Sequence, residues 1–136
     1  MSITLTDQDK LTLRTAAYGA VALAAAAGAA DSPHRIATEG SIALGSATGP
    51  VGHVLAEKAK IRGLNGKSVA ELADTVLPAL TAAMGLLRKQ DPAEADNFRG
   101  TVVVALESAT RTHRSEQPSP ALAEMIRKIT EALDAV

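Results

Sequence analysis

The sequence predicts an all-α protein, a compact bundle of five or six helices in which residues 1–136 form one domain around an Ala-rich central N-terminal helix. Residues 16–30 contain one polar side-chain atom, the hydroxyl of Tyr18. A helix that is apolar on every side must be covered on every side. The chain also has 28 alanines, and alanine is the best helix former. Residues that begin and end helices recur along the chain, and no strand pattern competes with them.

The alanine-rich segment has three interpretations. A membrane span needs about 20 mostly apolar residues, but this run is shorter and lies between Arg14 and Asp31. A secretory signal would use Lys10 and Arg14 as its charged region, but Asp7 and Asp9 dilute that charge. We favour the third interpretation, the central helix of a bundle in water, because small side chains on all faces let neighbouring helices approach closely.

The first two helices are predicted from residues that typically begin a helix. Thr6 and Asp9 form a variant of the capping box just before the first apolar stretch, which predicts helix 1 over residues 7–30. Pro33 suits the first position of a helix, so helix 2 is predicted over residues 34–44. Its apolar pattern is the weakest in the chain.

Glycines dominate the next segment. Residues 45–52 contain three glycines and one proline, which predicts a loop. A short helix 3 is expected over residues 51–62, and the pair Asn65-Gly66 then marks a turn. The loop at 45–52 is compatible with a lid, with a partner-binding loop or with a plain connector.

Helix 4 is predicted over residues 69–89. Ser68 and Glu71 form a capping box at its start, and the apolar residues that follow keep the 3.6-residue period. Pro78 lies in its middle and lacks the N–H that would bond the carbonyl of Asp74, so a kink is expected there.

Helices 5 and 6 complete the bundle. Asp91 and Glu94 are predicted to form a further capping box, with Pro92 at the first position of helix 5 over residues 92–112. The short link makes helices 4 and 5 antiparallel neighbours. Pro120 begins helix 6, which continues nearly to the end of the chain. The predicted buried stripes are Phe98, Val102, Ala105, Leu106 and Ala109 in helix 5, and Leu122, Met125, Ile126, Ile129 and Leu133 in helix 6.

Charge and cysteine content restrict the function. The net charge is −1, so no general field draws the protein to nucleic acid or to anionic membranes. The chain has no cysteine, which excludes a disulfide, a thiolate nucleophile and a cysteine-based metal site. We therefore expect no nucleic-acid partner, no membrane partner and no cofactor. A cytoplasmic location is the default, and the alanine and arginine usage is typical of a high-GC bacterium.

A candidate ligand site is predicted where helix 2, the 45–52 loop and the bend at Pro78 would meet, because pockets in bundles form where helix packing is interrupted. No metal site is predicted, since neither His-Glu-x-x-His nor paired Glu-x-x-His occurs. The candidate ligand-binding residues are His34, Glu39, His53 and Asp74.

A candidate anion site lies at the start of helix 4. The triplet Gly66-Lys67-Ser68 is similar to part of a phosphate-binding loop, but the full pattern needs a glycine at the position of Ile61. A weaker site remains an expectation because free N–H groups at helix starts bind anions. The candidate anion-binding residues are Lys58, Lys60, Arg62, Lys67 and Ser68.

Two functional hypotheses follow. The favoured one is a non-enzymatic interaction module, with a homodimer as the simplest assembly. The alternative is a bundle that binds a small ligand, an anion or a metal ion, and an enzyme ranks third because no nucleophile–base pair is recognisable. Six apolar residues must cover either helix 1 or a second subunit: Ile36, Ile42, Leu44, Val51, Val54 and Leu55.

Overall fold

The computed structural model describes residues 4–28, 33–56, 68–111 and 120–135, and these ranges form a bundle of six α-helices. The fold class predicted from the sequence is confirmed. The helices are Asp7–Ala27 (α1), Pro33–Gly45 (α2), Gly49–Ala56 (α3), Val69–Gln90 (α4), Pro92–Arg111 (α5) and Pro120–Asp134 (α6).

The alanine-rich helix α1 is at the centre, as predicted, and contacts each of the other five helices. Gly19 of α1 faces Val76 of α4, and Val21 of α1 faces Gly40 of α2. Residues 19 and 21 are separated by about 200° around the helix. Helices α4 and α2 therefore lie on opposite sides of α1.

Two of the predicted helix starts are confirmed in atomic detail. The Thr6 hydroxyl accepts from the Asp9 N–H at 3.0 Å, and the Asp9 carboxylate accepts from the Thr6 N–H at 3.1 Å. Ser68 and Glu71 make the same reciprocal pair, with both distances 3.2 Å. These bonds satisfy N–H groups that have no partner inside their helices.

The predicted capping box at the start of α5 forms only in part. The Asp91 carboxylate accepts from the Ala93 N–H at 3.0 Å. The Glu94 carboxylate instead accepts a long hydrogen bond of 3.4 Å from the Val51 N–H, in the first turn of α3. The prediction for Glu94 is wrong because α3 packs against α5 and offers the carboxylate the free N–H of a second helix start.

The loop predicted over residues 45–52 is also wrong. α2 continues to Gly45 and α3 begins at Gly49, so only residues 46–48 connect them. Gly49 has φ +75°, which a glycine adopts without strain. A Cβ on Gly52 would overlap the backbone carbonyl of Ala47, so this glycine permits a tight turn of helix rather than open chain.

Other boundaries differ by a few residues. α1 ends at Ala27 rather than at residue 30, and the Gly28 N–H donates to the Ala24 carbonyl at 2.8 Å. The predicted end of helix 3 at residue 62, the turn at residues 65–66 and the predicted end of helix 5 at residue 112 lie outside the described residues. The predicted stripes of α5 and α6 are buried apart from half-buried Ile126, while the side chain of Ala109 is not described.

Two polar contacts connect pairs of helices, α1 with α3 and α4 with α6. The half-buried Tyr18 hydroxyl donates to the Leu55 carbonyl at 2.6 Å and so joins α1 to the last described turn of α3. The Thr81 hydroxyl of α4 donates to the Ala132 carbonyl at 2.8 Å, near the end of α6.

Among the described helices, α4 alone is long and apolar enough to cross a membrane by length and composition. Its most apolar 18 residues have a mean hydropathy of 1.3, and 28% of them are buried inside the bundle. A core helix of a soluble protein can pass the same test.

Candidate functional site

The three candidate ligand residues whose side chains the structure describes do not meet at one site. Glu39 is half-buried on α2, His53 is exposed on α3 and Asp74 is exposed on α4, whereas the side chain of His34 is not described. Within the described ranges α4 contacts α1, α5 and α6 but neither α2 nor α3. Since α1 separates α4 from α2, the structure does not place Asp74 beside Glu39 and His53.

Of the candidate anion site, only Ser68 lies in the described chain; Lys58, Lys60, Arg62 and Lys67 lie outside it. The Ser68 hydroxyl and N–H are both bonded to Glu71. A carboxylate of the same helix thus occupies the position at which an external anion would meet these groups.

The described interior is apolar. No polar or charged residue is buried among the side chains that the structure describes, in ranges 4–28, 36–56, 68–108 and 120–135. The same ranges hold no cluster of three His, Cys, Asp or Glu side chains arranged to bind a metal ion. What remains for a ligand or partner in the described structure is the surface.

A surface groove runs between α2 and α5 and has a volume of about 420 Å³. We call it the α2–α5 groove. The α5 residues recur at spacings that put them on one side of that helix, opposite the buried stripe. The residues that line it are Ala43, Ser46, Ala47, Asp96, Asn97, Gly100, Thr101 and Val104.

Three polar side chains of the α2–α5 groove are hydrogen-bonded inside the chain. The Ser46 hydroxyl donates to the Ile42 carbonyl at 3.1 Å, and the Thr101 hydroxyl donates to the Asn97 carbonyl at 2.8 Å. The Asn97 amide donates to the Thr48 carbonyl at 3.0 Å. An occupant therefore meets a surface whose polar donors already have partners.

Val104 is the large apolar residue that lines this groove, and it is 55% exposed. Ile42 of α2, which precedes the lining residue Ser46 by four positions, is 60% exposed. The other five apolar residues that could cover helix 1 or a partner are all buried in the chain's own core: Ile36, Leu44, Val51, Val54 and Leu55. Ile42 is the member of that set left for a partner.

A second groove, of about 350 Å³, lies between α1 and α4 around Pro78. Leu11, 40% exposed, is its large apolar residue. No ionisable side chain lines it; its other residues are Gln8, Thr12, Thr15, Thr75, Ala79 and Ala82. We call it the α1–α4 groove.

The exposure of Val104 follows from the position of this residue relative to the buried stripe of α5. The buried stripe of α5 contains Val102 and Leu106, and Val104 lies about 200° from each around the helix. The stripe therefore predicts an exposed valine at position 104. Ile42 could not be predicted in the same way, because the two glycines of α2 blur its pattern.

The chain matches no known family model. No curated protein and no solved structure matches it either.

Proposed function

We propose that the protein is a non-enzymatic interaction module that binds a protein partner through the α2–α5 groove. The observation that supports this most is the exposure of Val104, which lines that groove, together with that of Ile42, four positions before the lining residue Ser46. Contiguous exposed apolar surface with a polar rim is typical of interaction sites. Each of these side chains would gain from burial, since burying a valine or isoleucine contributes about 1.5–3 kcal/mol.

The polar side chains of the α2–α5 groove are already hydrogen-bonded within the chain, and this favours a protein partner over a small polar ligand. A site that orients a small molecule presents a few convergent polar atoms. In this groove Ser46, Asn97 and Thr101 direct their donors to backbone carbonyls of the same chain. The carboxylate of Asp96 is the ionisable group that lines the groove, and it lies at one end, where a polar rim is expected.

The alternative, a small-ligand, anion or metal-ion binder, has less support. Its proposed residues Glu39, His53 and Asp74 lie on three helices, and α4 does not contact the other two within the described chain. We therefore place the interaction module first.

Photo-crosslinking tests the proposal directly. A benzoylphenylalanine in place of Ser46, which is exposed and lines the groove, should form protein adducts in the native cells. The adducts should disappear when Ile42→Lys and Val104→Lys are added, because two ammonium groups cannot be buried in an apolar contact.

The matched control places the same crosslinker at Ala123, an exposed position on α6. Since α6 does not contact α2 in the described structure, the Ala123 adducts should be insensitive to the two lysine substitutions. Absence of any Ser46 adduct, or adducts that survive the substitutions, would refute an interaction through this groove.

A further inference from the structure

We infer that the α1–α4 groove binds a small uncharged compound that carries several hydroxyl groups, such as a sugar. The groove has a volume of about 350 Å³, within the usual range of about 300–1,000 Å³ for ligand pockets. Because α4 and α2 pack on opposite sides of α1, this groove is separate from the α2–α5 groove. The inference therefore does not depend on the protein partner proposed above.

The threonines of the helices show which hydroxyl groups are available to a ligand. A threonine inside a helix can donate to the carbonyl four residues earlier. In the described chain four threonines do so, at 2.8–3.5 Å: Thr12, Thr81, Thr101 and Thr130. The Thr15 and Thr75 hydroxyls, by contrast, make no hydrogen bond within the described chain, and both residues line the α1–α4 groove. One free hydroxyl thus lies on each wall.

Pro78 adds a backbone acceptor to the same groove. Since proline has no N–H, the carbonyl four residues earlier lacks the donor that a helix normally supplies, and in α4 this is the carbonyl of Asp74. A helical carbonyl points along the axis toward the residue four positions later, here the exposed ring of Pro78, which lines the groove. A ligand hydroxyl can donate to this carbonyl while it accepts from a threonine.

The polar groups of the groove favour an uncharged ligand. None of the described residues that line it is ionisable, so nothing there would compensate a charged ligand for the water it loses. The groove instead offers the hydroxyls of Thr15 and Thr75 and the amide of Gln8. These groups both donate and accept hydrogen bonds, as the hydroxyl groups of a sugar do.

The apolar residues of the groove fit the same class of ligand. Leu11 is 40% exposed on the α1 wall, and Pro78 and Ala82 lie on the α4 wall. Gln8 and Thr15 are seven positions apart, so the mixed surface extends over about 10 Å. A sugar presents C–H groups beside its hydroxyls and can therefore contact both kinds of surface at once.

NMR titration of the isotope-labelled chain tests the inference with three uncharged probes, D-glucose, maltose and myo-inositol. At least one of them should cause saturable shifts of backbone amide signals, confined to residues 8–15 and 75–82. We expect a millimolar dissociation constant, because several lining residues are exposed and the ligand stays partly in water. Sodium phosphate at matched ionic strength should leave these signals unchanged, since the groove holds no counter-charge.

Substitutions separate the groove from general surface binding. Thr15→Val combined with Thr75→Val should weaken binding about tenfold by removing two neutral hydrogen bonds, and it should fold normally because neither hydroxyl has a partner in the described chain. Ala82→Phe, at an exposed position, should abolish binding by filling the groove. Thr101→Val is the matched control, since Thr101 lines the other groove, and it should leave sugar binding unchanged.

Absence of saturable shifts with all three probes would overturn the inference. Binding that survives both the double valine variant and Ala82→Phe would also overturn it, because the ligand would then lie elsewhere. Equal shifts of the same amide signals by phosphate would contradict an uncharged ligand. Crosslinking at Ser46 reports on the α2–α5 groove alone, so the proposed function stands or fails separately.

Discussion

Gly19 of α1 and Val76 of α4 meet where the two longest helices cross, and a Cβ on the glycine would lie 2.6 Å from Cγ2 of the valine. Val76 is buried, so its side chain has no open solvent to move into. The crossing distance between these helices thus depends on the absence of one methyl group.

Gly19→Ala should destabilise the fold by about 1–3 kcal/mol, the usual range for overpacking a well-packed core. The loss occurs although alanine is about 1 kcal/mol better than glycine inside a helix, because the new methyl group must displace Val76 or the α4 backbone. Urea unfolding followed by circular dichroism measures the change.

A double-mutant cycle with Val76→Ala isolates that contact. Removing the valine methyl groups opens space for the new Cβ, so the effect of Gly19→Ala should shrink or reverse in the Val76→Ala background. Gly100→Ala, at a helical glycine with open space, is the control and should stabilise by up to about 1 kcal/mol at concentrations where the chain is monomeric. Equal effects at positions 19 and 100 would contradict the close approach.

Gly52→Ala should be among the more damaging substitutions in α3. The new Cβ would overlap the Ala47 carbonyl, and backbone cannot rotate away as a side chain can, so we expect a loss of at least about 1–3 kcal/mol. Gly45→Ala is the matched control in the same segment, because a Cβ there meets nothing within 4 Å. Thermal unfolding of both variants measures the difference, and a neutral Gly52→Ala would show that residues 46–52 are not tightly packed.

The helix layout was predictable because local signals and tertiary structure agree. Thr6 with Asp9 and Ser68 with Glu71 begin helices by hydrogen bonds within three residues, and such bonds follow from sequence alone. The prediction for Glu94 failed because this carboxylate bonds the start of α3, 43 residues earlier in the chain, rather than its own helix. The loop prediction for residues 45–52 failed for a local reason, because Gly52 lets the backbone approach the Ala47 carbonyl closely.

The sequence predicted that apolar residues would be available to a partner, but it did not predict the groove in which the candidate site lies. The expectation of an apolar region for a partner came from residues 34–64, and Ile42 is exposed there. The groove itself could not be predicted, because it depends on α2 lying against α5 rather than against α4. The same topology separates Asp74 from Glu39 and His53, and no local pattern reveals which side of α1 each helix takes.

Arg99→Ala should weaken the attachment of α6 to α5. The Arg99 guanidinium donates to both carboxylate oxygens of Asp134, at 2.7 and 3.1 Å. Both side chains are partly exposed, so we expect a loss of about 0.2–1 kcal/mol at neutral pH. Arg99→Lys keeps the charge but loses the two-pronged geometry, so it should recover only part of that loss in urea unfolding.

The same pair gives a pH dependence. The hydrogen bond from Arg99 lowers the pKa of Asp134 below its ordinary value, so the contribution is complete above about pH 4 and declines as pH falls through the lowered pKa. The difference in unfolding free energy between wild type and Arg99→Ala should therefore disappear under strongly acidic conditions. A difference that persists there would show that Arg99 acts through packing rather than through charge.

Tyr18→Phe should destabilise the fold by about 0.5–1.5 kcal/mol, because it removes the hydrogen bond that the phenol donates to the Leu55 carbonyl. The ring stays in place, so the packing of α1 should be unchanged. Chemical unfolding measures the loss. A neutral substitution would mean that water replaces the phenol at the Leu55 carbonyl without penalty.

Titration of Tyr18 supplies an independent test of its burial. Burial disfavours the phenolate and raises the pKa of Tyr18 above its ordinary value. The chain has one tyrosine and no tryptophan, so tyrosinate absorbance reports this residue alone. The midpoint of this titration should be higher in the native protein than in urea, where it should lie at about pH 10.

Because the native pKa of Tyr18 is the higher one, the contribution of Tyr18 to stability is complete below about pH 10 and declines as pH rises through the native pKa. The stability advantage of wild type over Tyr18→Phe should therefore decrease in that alkaline range, and identical midpoints in the two states would contradict a half-buried phenol.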